Sequence, residues 1–267
     1  MTPFADAIEK GIDIVVPTWN HLNCLKLFAE QLKSSSKYPH RLFVHVNEGK
    51  DGTADWVEES DLVHEFTWVS GNDGVCAPVN KLVKLGKAPL IAYFNDDMVP
   101  LPGWDVALHR FARVNRIPEM AWLSGTMIEP KGKNPCCIIR DYGSGPNTFR
   151  GAKLLADLPK LRKLKRHTGG TTWPPTILMR SVFEKVGGLS EEYFPGFGSD
   201  PDLAMKLWLK GCRTFVGVAD CLIYHFGSKT TGSMKIPPYR KTFRKKHGME
   251  MDKFIEDTLR RGHTWPE

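Results

Sequence analysis

The sequence predicts an α/β fold built around a mainly parallel β-sheet. Within the first hundred residues, short apolar runs of strand character alternate with segments in which apolar residues recur at helical spacing. This alternation is typical of βαβ units, in which consecutive strands run parallel. Polar residues follow three of the strand-like runs, and such sheets bind ligands beyond the carboxyl ends of their strands. We therefore expect a binding crevice at that edge of the sheet.

Strands and helices alternate through residues 12–97. The predicted strands cover residues 12–17, 41–48, 64–70 and 89–97, and the predicted helices begin near residues 22, 51 and 75. The first helix carries an apolar stripe made of Leu22, Leu25, Ala29 and Leu32. The polar strand ends are residues 17–20, 47–49 and 95–97, and we expect them to face one crevice.

The pattern is looser after residue 103. Strands are predicted for residues 120–128, 136–142 and 171–180, with a helix over residues 152–165 that Pro159 breaks. A later helix begins at Asp200 and ends at Gly211, a residue type common at helix C-termini. We predict a single domain over residues 1–230, with halves of about 11–103 and 104–230, and a basic C-terminal extension over 231–267.

The composition is typical of a globular protein, with 41% hydrophobic and 25% charged residues. No apolar run approaches the length of a membrane helix, and the N-terminus shows no signal-peptide pattern. The six cysteines show neither metal-ligand spacing nor a disulfide framework. These features predict a reducing, cytoplasmic location.

Positive charge is concentrated in two windows. Residues 150–166 contain seven basic residues and one acid, and residues 228–249 contain seven basic residues and no acid. This concentration favours a phosphate-bearing partner, such as a nucleotide diphosphate, an anionic membrane surface or a nucleic acid. Two solvated faces would explain the same pattern.

The apolar run at residues 89–94 ends in Asn95, Asp96 and Asp97. Adjacent carboxylates at the end of a buried strand repel each other and lose hydration, so a positive group should compensate them. Mg²⁺ and Mn²⁺ prefer carboxylate oxygen as a ligand. A divalent cation and a surface turn both explain the motif, and the polar ends of the neighbouring strands favour the cation.

Two further positions are candidates for chemistry. Asp200 precedes Pro201, which fits a helix N-cap followed by the first helical position. The glycine- and aromatic-rich approach at residues 194–199 favours another role, in which Asp200 is a general base toward an acceptor hydroxyl. His225 closes an apolar run, where a lone histidine is more often structural than a ligand.

Taken together, these segments resemble the GT-A glycosyltransferases, most closely family 2, over roughly residues 11–230. Residues 14–20 resemble the opening strand and its nucleotide-contacting turn, and residues 95–97 stand at the Asp-x-Asp motif with Asn95 as its first residue. The matching segments occur in the family's order. The others are residues 72–74 with Asn80, residues 169–171, residues 182–192 and residues 199–203.

The resemblance implies a GT-A fold, in which a Rossmann-like nucleotide-binding half is fused to a mixed-sheet acceptor half. It implies Mn²⁺ or Mg²⁺ bound by Asp97 and His225, with Asp200 as the base of an inverting transfer from a nucleotide-sugar. The expected contacts of the donor nucleotide are Pro17, Thr18, Asn20, Asn47, Glu48, Asn72, Asn80, Asn95 and Asp96. A UDP-sugar is the expected donor, and the turn at residues 47–53 is one residue shorter than the family pattern and lacks its first Asp.

The acceptor and two other function classes stay open at this point. A glycan, a lipid-linked sugar at the inner face of an anionic membrane, and a modified base of DNA are all compatible with the basic second half. A nucleotidyltransferase shares the architecture, but residues 17–23 contain no glycine-rich phosphate loop. The third class is a non-catalytic relative that binds glycans or nucleic acid through the basic segments and Trp173.

Overall fold

Strands and helices alternate along the first hundred residues, as predicted. The structure is a computed structural model that describes residues 2–132, 134, 136–164, 166–227 and 236–266. The strands are β1 Ile12–Trp19, β2 His40–Asn47, β3 Glu65–Val69, β4 Leu90–Tyr93, β5 Met98–Pro100, β6 Ala121–Glu129, β7 Ile138–Ile139, β8 Thr168–Gly169, β9 Thr176–Met179 and β10 Thr214–His225. The helices are α1 Pro3–Lys10, α2 Leu22–Ser35, α3 Thr53–Glu59, α4 Cys76–Leu85, α5 Trp104–Val114, α6 Gly151–Leu161, α7 Arg180–Lys185, α8 Ser199–Leu209, α9 Tyr239–His247 and α10 Met251–Lys253.

The described strands form one mixed sheet in the order β3-β2-β1-β4-β9-β6-β10-β5, with β7 beside β6 and β8 beside β10. The first four are mutually parallel. β9 is antiparallel to both β4 and β6, and β5 is antiparallel to β10. The prediction of a parallel nucleotide-binding half joined to a mixed half is confirmed.

The central strand β1 is buried because its apolar residues face two different cores. Ile14 and Val16 pack in one cluster, whereas Val15 packs in a second cluster on the other face. A parallel strand covered on both faces has the continuous Val- and Ile-rich sequence seen here. The burial of β1 holds Pro17 and Thr18, near the end of this strand, at the carboxyl edge of the sheet.

The strand predicted for residues 89–97 ends early. β4 stops at Tyr93, and the chain turns so that the amide of Met98 donates to the carbonyl of Asn95, 3.3 Å away, before β5 begins. Asp96 and Asp97 therefore occupy a turn, but they are only 8% and 4% exposed. The alternative of a surface turn is wrong, because β10 covers this segment. The strands predicted for 136–142 and 171–180 shorten to β7 and β9.

Several helices differ from the prediction, and α5, α7, α9 and α10 were not predicted at all. α6 continues through Pro159 to Leu161, because its buried side contributes to a core cluster that outweighs the lost backbone hydrogen bond. α1 was not predicted. The hydroxyl of Thr2 caps it, Pro3 occupies its first turn, and Phe4 and Ile8 are fully buried.

Residues of the C-terminal segment, predicted as a basic extension over 231–267, pack into the folded core. Phe243 and Phe254 are fully buried in the cluster that contains Leu203 of α8, and Thr264 pairs with Thr168 of β8. The predicted boundary near residue 230 lies outside the described residues, as do Ser228 and Lys229. No described helix is both long and apolar enough to cross a membrane.

Candidate active site

A cavity of about 320 Å³ lies at the carboxyl ends of the parallel strands. The three polar strand ends contribute to it, as the alternation of strands and helices predicted. Polar residues at the ends of β1, β2 and β4 line part of it, and the loop that leads into α8 lines another part. The lining residues are Pro17, Thr18, Trp19, Asn47, Asn72, Gly74, Val75, Tyr93, Asn95, Asp96, Asp97, Pro174, Pro195, Gly196, Phe197, Gly198, Ser199 and Asp200.

Asp96 is held by two partners. The hydroxyl of Thr18 donates to its Oδ2 at 2.6 Å, and Nδ1 of His21 lies 3.1 Å from its Oδ1. Burial raises the pKa of Asp96, and the hydrogen bond and charge of His21 oppose this effect. The pKa of His21 is itself raised to about 11, mainly by the hydrogen bond to Asp96. His21 therefore supplies part of the positive charge that the adjacent carboxylates require.

Asp97 lies against a second histidine. Nε2 of His225 is 3.3 Å from Oδ1 of Asp97, and Nδ1 of His225 is hydrogen-bonded to Glu129 at 2.7 Å. Burial lowers the pKa of His225, but the carboxylates of Asp97 and Glu129 outweigh this effect and raise it to about 10. The turn is tied to β10 as well, because the amide of Phe226 donates to the carbonyl of Asp97 at 3.1 Å.

The chemistry of this pair fits a divalent cation. Nε2 of His225 is buried and makes no hydrogen bond to the described residues, while Glu129 engages the other ring nitrogen. A carboxylate on the far nitrogen is the usual partner of a metal-binding histidine, because it fixes the tautomer and orients the ring. The described residues contain no group of three or more His, Cys, Asp or Glu suited to a metal. Asp97 and His225 would therefore need further ligands from water or a bound diphosphate.

Asp200 also lines the cavity. Its Oδ1 is buried and has no hydrogen-bond partner among the described residues. Burial raises the pKa of Asp200 to about 7, and the charge of Arg261 opposes this effect. A carboxyl group whose pKa lies near neutrality can accept a proton when a substrate presents one.

The N-cap interpretation of Asp200 is wrong. α8 begins at Ser199, and its N-cap is Gly198, with a φ of 87° that favours glycine. Asp200 is therefore inside the first turn, and no side-chain capping bond is present. A capping bond would have explained this carboxylate, but in the part of the chain that the structure describes Oδ1 of Asp200 makes no hydrogen bond.

The neighbouring acid has a different environment. Asp202 is fully buried, yet it accepts from the hydroxyl of Ser190 at 2.6 Å and contacts Lys246 and His247 at 3.0 and 2.7 Å. These partners join α8 to α9, so Asp202 is a structural residue. Of these two carboxylates within one turn, Asp202 has several hydrogen-bond partners, whereas Oδ1 of Asp200 has none among the described residues.

Asn47 and Asn72 shape the donor side of the cavity. The Asn47 amide donates to the carbonyl of Gly74 at 3.1 Å and accepts from the amide of Asp73 at 2.7 Å. Asn72 in turn accepts from the amide of Gly74 at 2.8 Å. Because both side chains hold the turn at residues 72–74, they build the wall of the cavity. Tyr93 completes this region by donating to Asn95 at 2.9 Å.

Three expected donor contacts lie elsewhere. Asn20 and Glu48 do not line the cavity. The side-chain amide of Asn20 donates to Glu48 at 2.7 Å, and the indole of Trp19 donates to the same carboxylate at 3.0 Å. Lys50, Trp19 and Asn20 together lower the pKa of Glu48 to about 2. Asn80 is also outside, since its amide group bonds the backbone of Leu189 and ties α4 to the loop before α8.

His21, Glu129, Tyr93 and Phe197 belong to the site but were not predicted. Glu129 stands 96 residues before His225, and His21 stands 75 residues before Asp96. Local spacing carries no signal for such pairs. The single hint was the requirement for a positive charge near the adjacent aspartates, which did not say where it would come from.

The fold can be compared with solved structures. Staphylococcus aureus TarS 1-349 in complex with UDP-GlcNAc superposes with a TM-score of 0.64 at 14% identity, over 88% of this chain and 64% of that chain. The mannosyltransferase PcManGT of Pyrobaculum calidifontis, in complex with GDP-Man and Mn²⁺, superposes with a TM-score of 0.57 at 15% identity, over 96% and 66%.

The chain has a GT-A-like glycosyltransferase fold. The sequence relatives are much longer than this chain. An uncharacterized protein y4gI of Sinorhizobium fredii is 24% identical over 251 residues, which are 88% of this chain and 26% of the relative. The O-antigen biosynthesis protein RfbC of Myxococcus xanthus is 25% identical over 236 residues, 80% of this chain and 17% of the relative. The glycosyltransferase-like chain thus spans about a quarter or less of these proteins. No protein-family model matches it.

Proposed function

We propose that the chain is a metal-dependent glycosyltransferase that moves a sugar from a nucleotide-sugar to an acceptor hydroxyl. The observation that carries the proposal is the buried Oδ1 of Asp200, which has no hydrogen-bond partner among the described residues, in a cavity that Asp96 and Asp97 also line. A direct displacement at an anomeric carbon requires a proton acceptor and a diphosphate-binding group in the same cavity.

The donor nucleotide would occupy the polar wall. Pro17, Thr18, Asn47 and Asn72 line this part of the cavity, and Asp96 retains lone pairs that can accept from ribose hydroxyls. We propose a UDP-sugar as the donor, because TarS has a related fold and its structure contains UDP-GlcNAc. Asn20, Glu48 and Asn80 support this wall from outside.

Asp200 would act on the acceptor. Its carboxylate takes the proton of the acceptor hydroxyl while the hydroxyl oxygen forms a bond to the anomeric carbon. The bond from that carbon to the diphosphate oxygen breaks at the same time, and the diphosphate departs with the electron pair. Attack from the face opposite the leaving group inverts the configuration, as expected from the resemblance to family 2.

Asp97 and His225 would hold Mn²⁺ or Mg²⁺. When bound there, the cation supplies positive charge that stabilises the departing diphosphate. Support comes from the free Nε2 of His225 beside the Asp97 carboxylate, and from the Mn²⁺ present with PcManGT. Glu129 would keep the histidine in the tautomer that presents Nε2.

The acceptor is proposed to be a glycan or a lipid-linked sugar. The name of the relative RfbC, an O-antigen biosynthesis protein, supports a saccharide acceptor. A modified base of DNA is the remaining candidate, and we propose a cytoplasmic location for the reaction.

A screen of nucleotide-sugars for metal-dependent hydrolysis tests the proposal. We expect the chain to release a nucleoside diphosphate from at least one donor and to lose this activity with EDTA. Asp97→Ala should abolish hydrolysis, and Asp61→Asn, at an exposed surface acid, should leave it unchanged. Formation of a nucleotide-sugar from a nucleoside triphosphate would instead indicate a nucleotidyltransferase. Nucleotide binding without either reaction would indicate a non-catalytic relative.

A further inference from the structure

The two basic windows of the chain differ in how their charges are used. In the C-terminal window, Arg240 pairs with Asp252 and Arg244 pairs with Glu250. Lys246 contacts the buried carboxylate of Asp202. Much of the charge that the sequence shows in this window is therefore neutralised within the fold. Lys229 and Lys235 lie outside the described residues.

The first window keeps more of its charge, although Arg150 pairs with Asp141 and Lys153 pairs with Asp157. We define the α6 surface as the exposed side chains of α6 and of the turn that follows it. Its basic members are Lys153, Lys160, Arg162, Lys163 and Arg166, all exposed. The sole acid of this window, Asp157, already contacts Tyr142 and Lys153 at 2.9 and 3.3 Å. Lys160, Lys163 and Arg166 form no ion pair with any described residue, and Lys165 lies outside them.

Apolar side chains are interspersed with these charges. Leu155 is 44% exposed and Leu164 is 51% exposed, and Pro159 is exposed between them. Leucines of the same helix also face inward, where Leu154 and Leu158 are buried in the core. The inward leucines anchor the helix, so the outward leucines and lysines are displayed on a firmly held element.

We propose that the α6 surface docks the protein onto an anionic lipid bilayer. Lysine and arginine are attracted to acidic headgroups, and exposed leucines between them can enter the interface between headgroups and acyl chains. A surface for single-stranded nucleic acid would combine basic residues with aromatic side chains on which bases stack. The α6 surface displays leucines instead, which favours the bilayer over a nucleic acid.

The position of α6 connects this surface with the candidate active site. Its buried leucines share a cluster with Val99 and Leu101, which follow Asp97 in the chain, and with Phe226, which follows His225. Docking would therefore hold the candidate active site within one helix layer of the headgroups. This last consequence, access to a lipid-linked acceptor, rests on the proposed function, whereas docking itself does not.

Co-sedimentation of the full chain with vesicles tests the docking. We expect binding to vesicles of phosphatidylglycerol and phosphatidylcholine, weak binding to phosphatidylcholine alone, and loss of much of the binding at high salt. The double variant Lys160→Gln, Lys163→Gln should lower the partition coefficient by roughly thirtyfold, since each basic residue near such a surface contributes about a fivefold factor. The double variant Leu155→Ser, Leu164→Ser should lower it by at least tenfold, including the part that persists at high salt.

Matched controls remove equal numbers of side chains elsewhere. Lys241→Gln with Lys245→Gln removes two exposed, unpaired charges from α9, and Val114→Ser with Leu209→Ser removes two residues that are 70% and 68% exposed. Both controls should bind the vesicles like the unmodified chain.

Three outcomes would overturn the docking proposal. The first is that the unmodified chain does not bind acidic vesicles. The second is that the control variants lose as much vesicle binding as the α6 variants do. The third is tight binding of single-stranded DNA that α6 charge variants abolish while vesicle binding is absent, which would assign the surface to nucleic acid. Donor hydrolysis, measured in parallel, should be unchanged in the α6 variants. If neither the unmodified chain nor any variant hydrolysed a donor, the proposed function would be refuted, and the vesicle-binding result would still hold.

Discussion

Replacing Asp200 by asparagine should make the protein more stable at alkaline pH. Burial raises the pKa of this carboxyl group from 3.8 to about 7 in the folded chain. The native state therefore binds this proton more tightly than the unfolded chain does. The resulting penalty on folding is absent below about pH 4, grows as the pH rises toward 7, and is constant above that value.

The size of the effect follows from the same difference in pKa. One pKa unit corresponds to about 1.4 kcal/mol, so ionised Asp200 costs at most about 4 kcal/mol of the free energy of unfolding. Asparagine has nearly the same shape and does not ionise. We expect the variant to gain up to this amount relative to the unmodified chain at pH 8, and almost nothing at pH 4.

The same substitution should remove the general base. Transfer to an acceptor should fall by roughly two to four orders of magnitude. The affinity for nucleoside diphosphate should stay unchanged, because asparagine keeps the shape of the side chain and the expected nucleotide contacts Thr18 and Asn47 are left in place. In the unmodified chain, kcat/KM should rise with pH and level off above about 7. That ionisation should be missing from the profile of the variant.

Urea denaturation at several pH values and transfer kinetics provide the two measurements. Asp61→Asn is the control, since it removes an exposed carboxylate for which no effect on either quantity is expected. A variant at Asp200 that is no more stable at pH 8 than the unmodified chain would show that the carboxylate has a stabilising partner. Transfer within tenfold of the unmodified rate would refute its assignment as the base.

Three more predictions concern the surrounding residues. Asp97→Asn should abolish the gain in nucleoside diphosphate affinity that Mn²⁺ produces; calorimetry that still shows this gain would remove Asp97 from the metal site. His21→Ala should weaken nucleoside diphosphate binding by about tenfold, because Asp96 loses the group that orients it. Normal affinity in that variant would exclude a positioning role. Asp202→Asn should lower the free energy of unfolding by about 3–5 kcal/mol in urea, since it leaves buried partners such as Lys246 unpaired; a neutral result would contradict its structural role.

Much of the nucleotide-binding half could be predicted from the sequence. The runs that became β1, β2 and β3 are read correctly to within a few residues, because hydrophobic periodicity is a local property and these elements obey it. From the order of parallel strands it followed that the ends of β1, β2 and β4 share one edge. Errors arose where tertiary contacts outweighed local preference, as when α6 continued through Pro159.

The candidate active site, like the fold, could be predicted from the sequence only in part. The identity of Asp96, Asp97, Asp200 and His225 as candidates came from residue type and order along the chain. Their environments did not come from residue type and order, and these environments decide the chemistry. His21 engages Asp96, Glu129 engages His225, and Oδ1 of Asp200 has no hydrogen-bond partner among the described residues. Asn80 shows the reverse case, in which a residue that matches the family pattern is used to join α4 to the loop before α8.

The sequence by itself determined the class of fold, the edge of the sheet that carries the site, and the residue types present there, since all three depend on short-range pattern. The tertiary structure decided which charges are paired. Asp200 and Asp202 are two residues apart, yet only packing against α9 distinguishes them. Likewise Arg240, Arg244 and Lys246 of α9 are paired, whereas Lys160, Lys163 and Arg166 of the first basic window form no ion pair with the described residues. Ion pairs depend on which side chains the fold brings within 4 Å, and no local pattern encodes that distance.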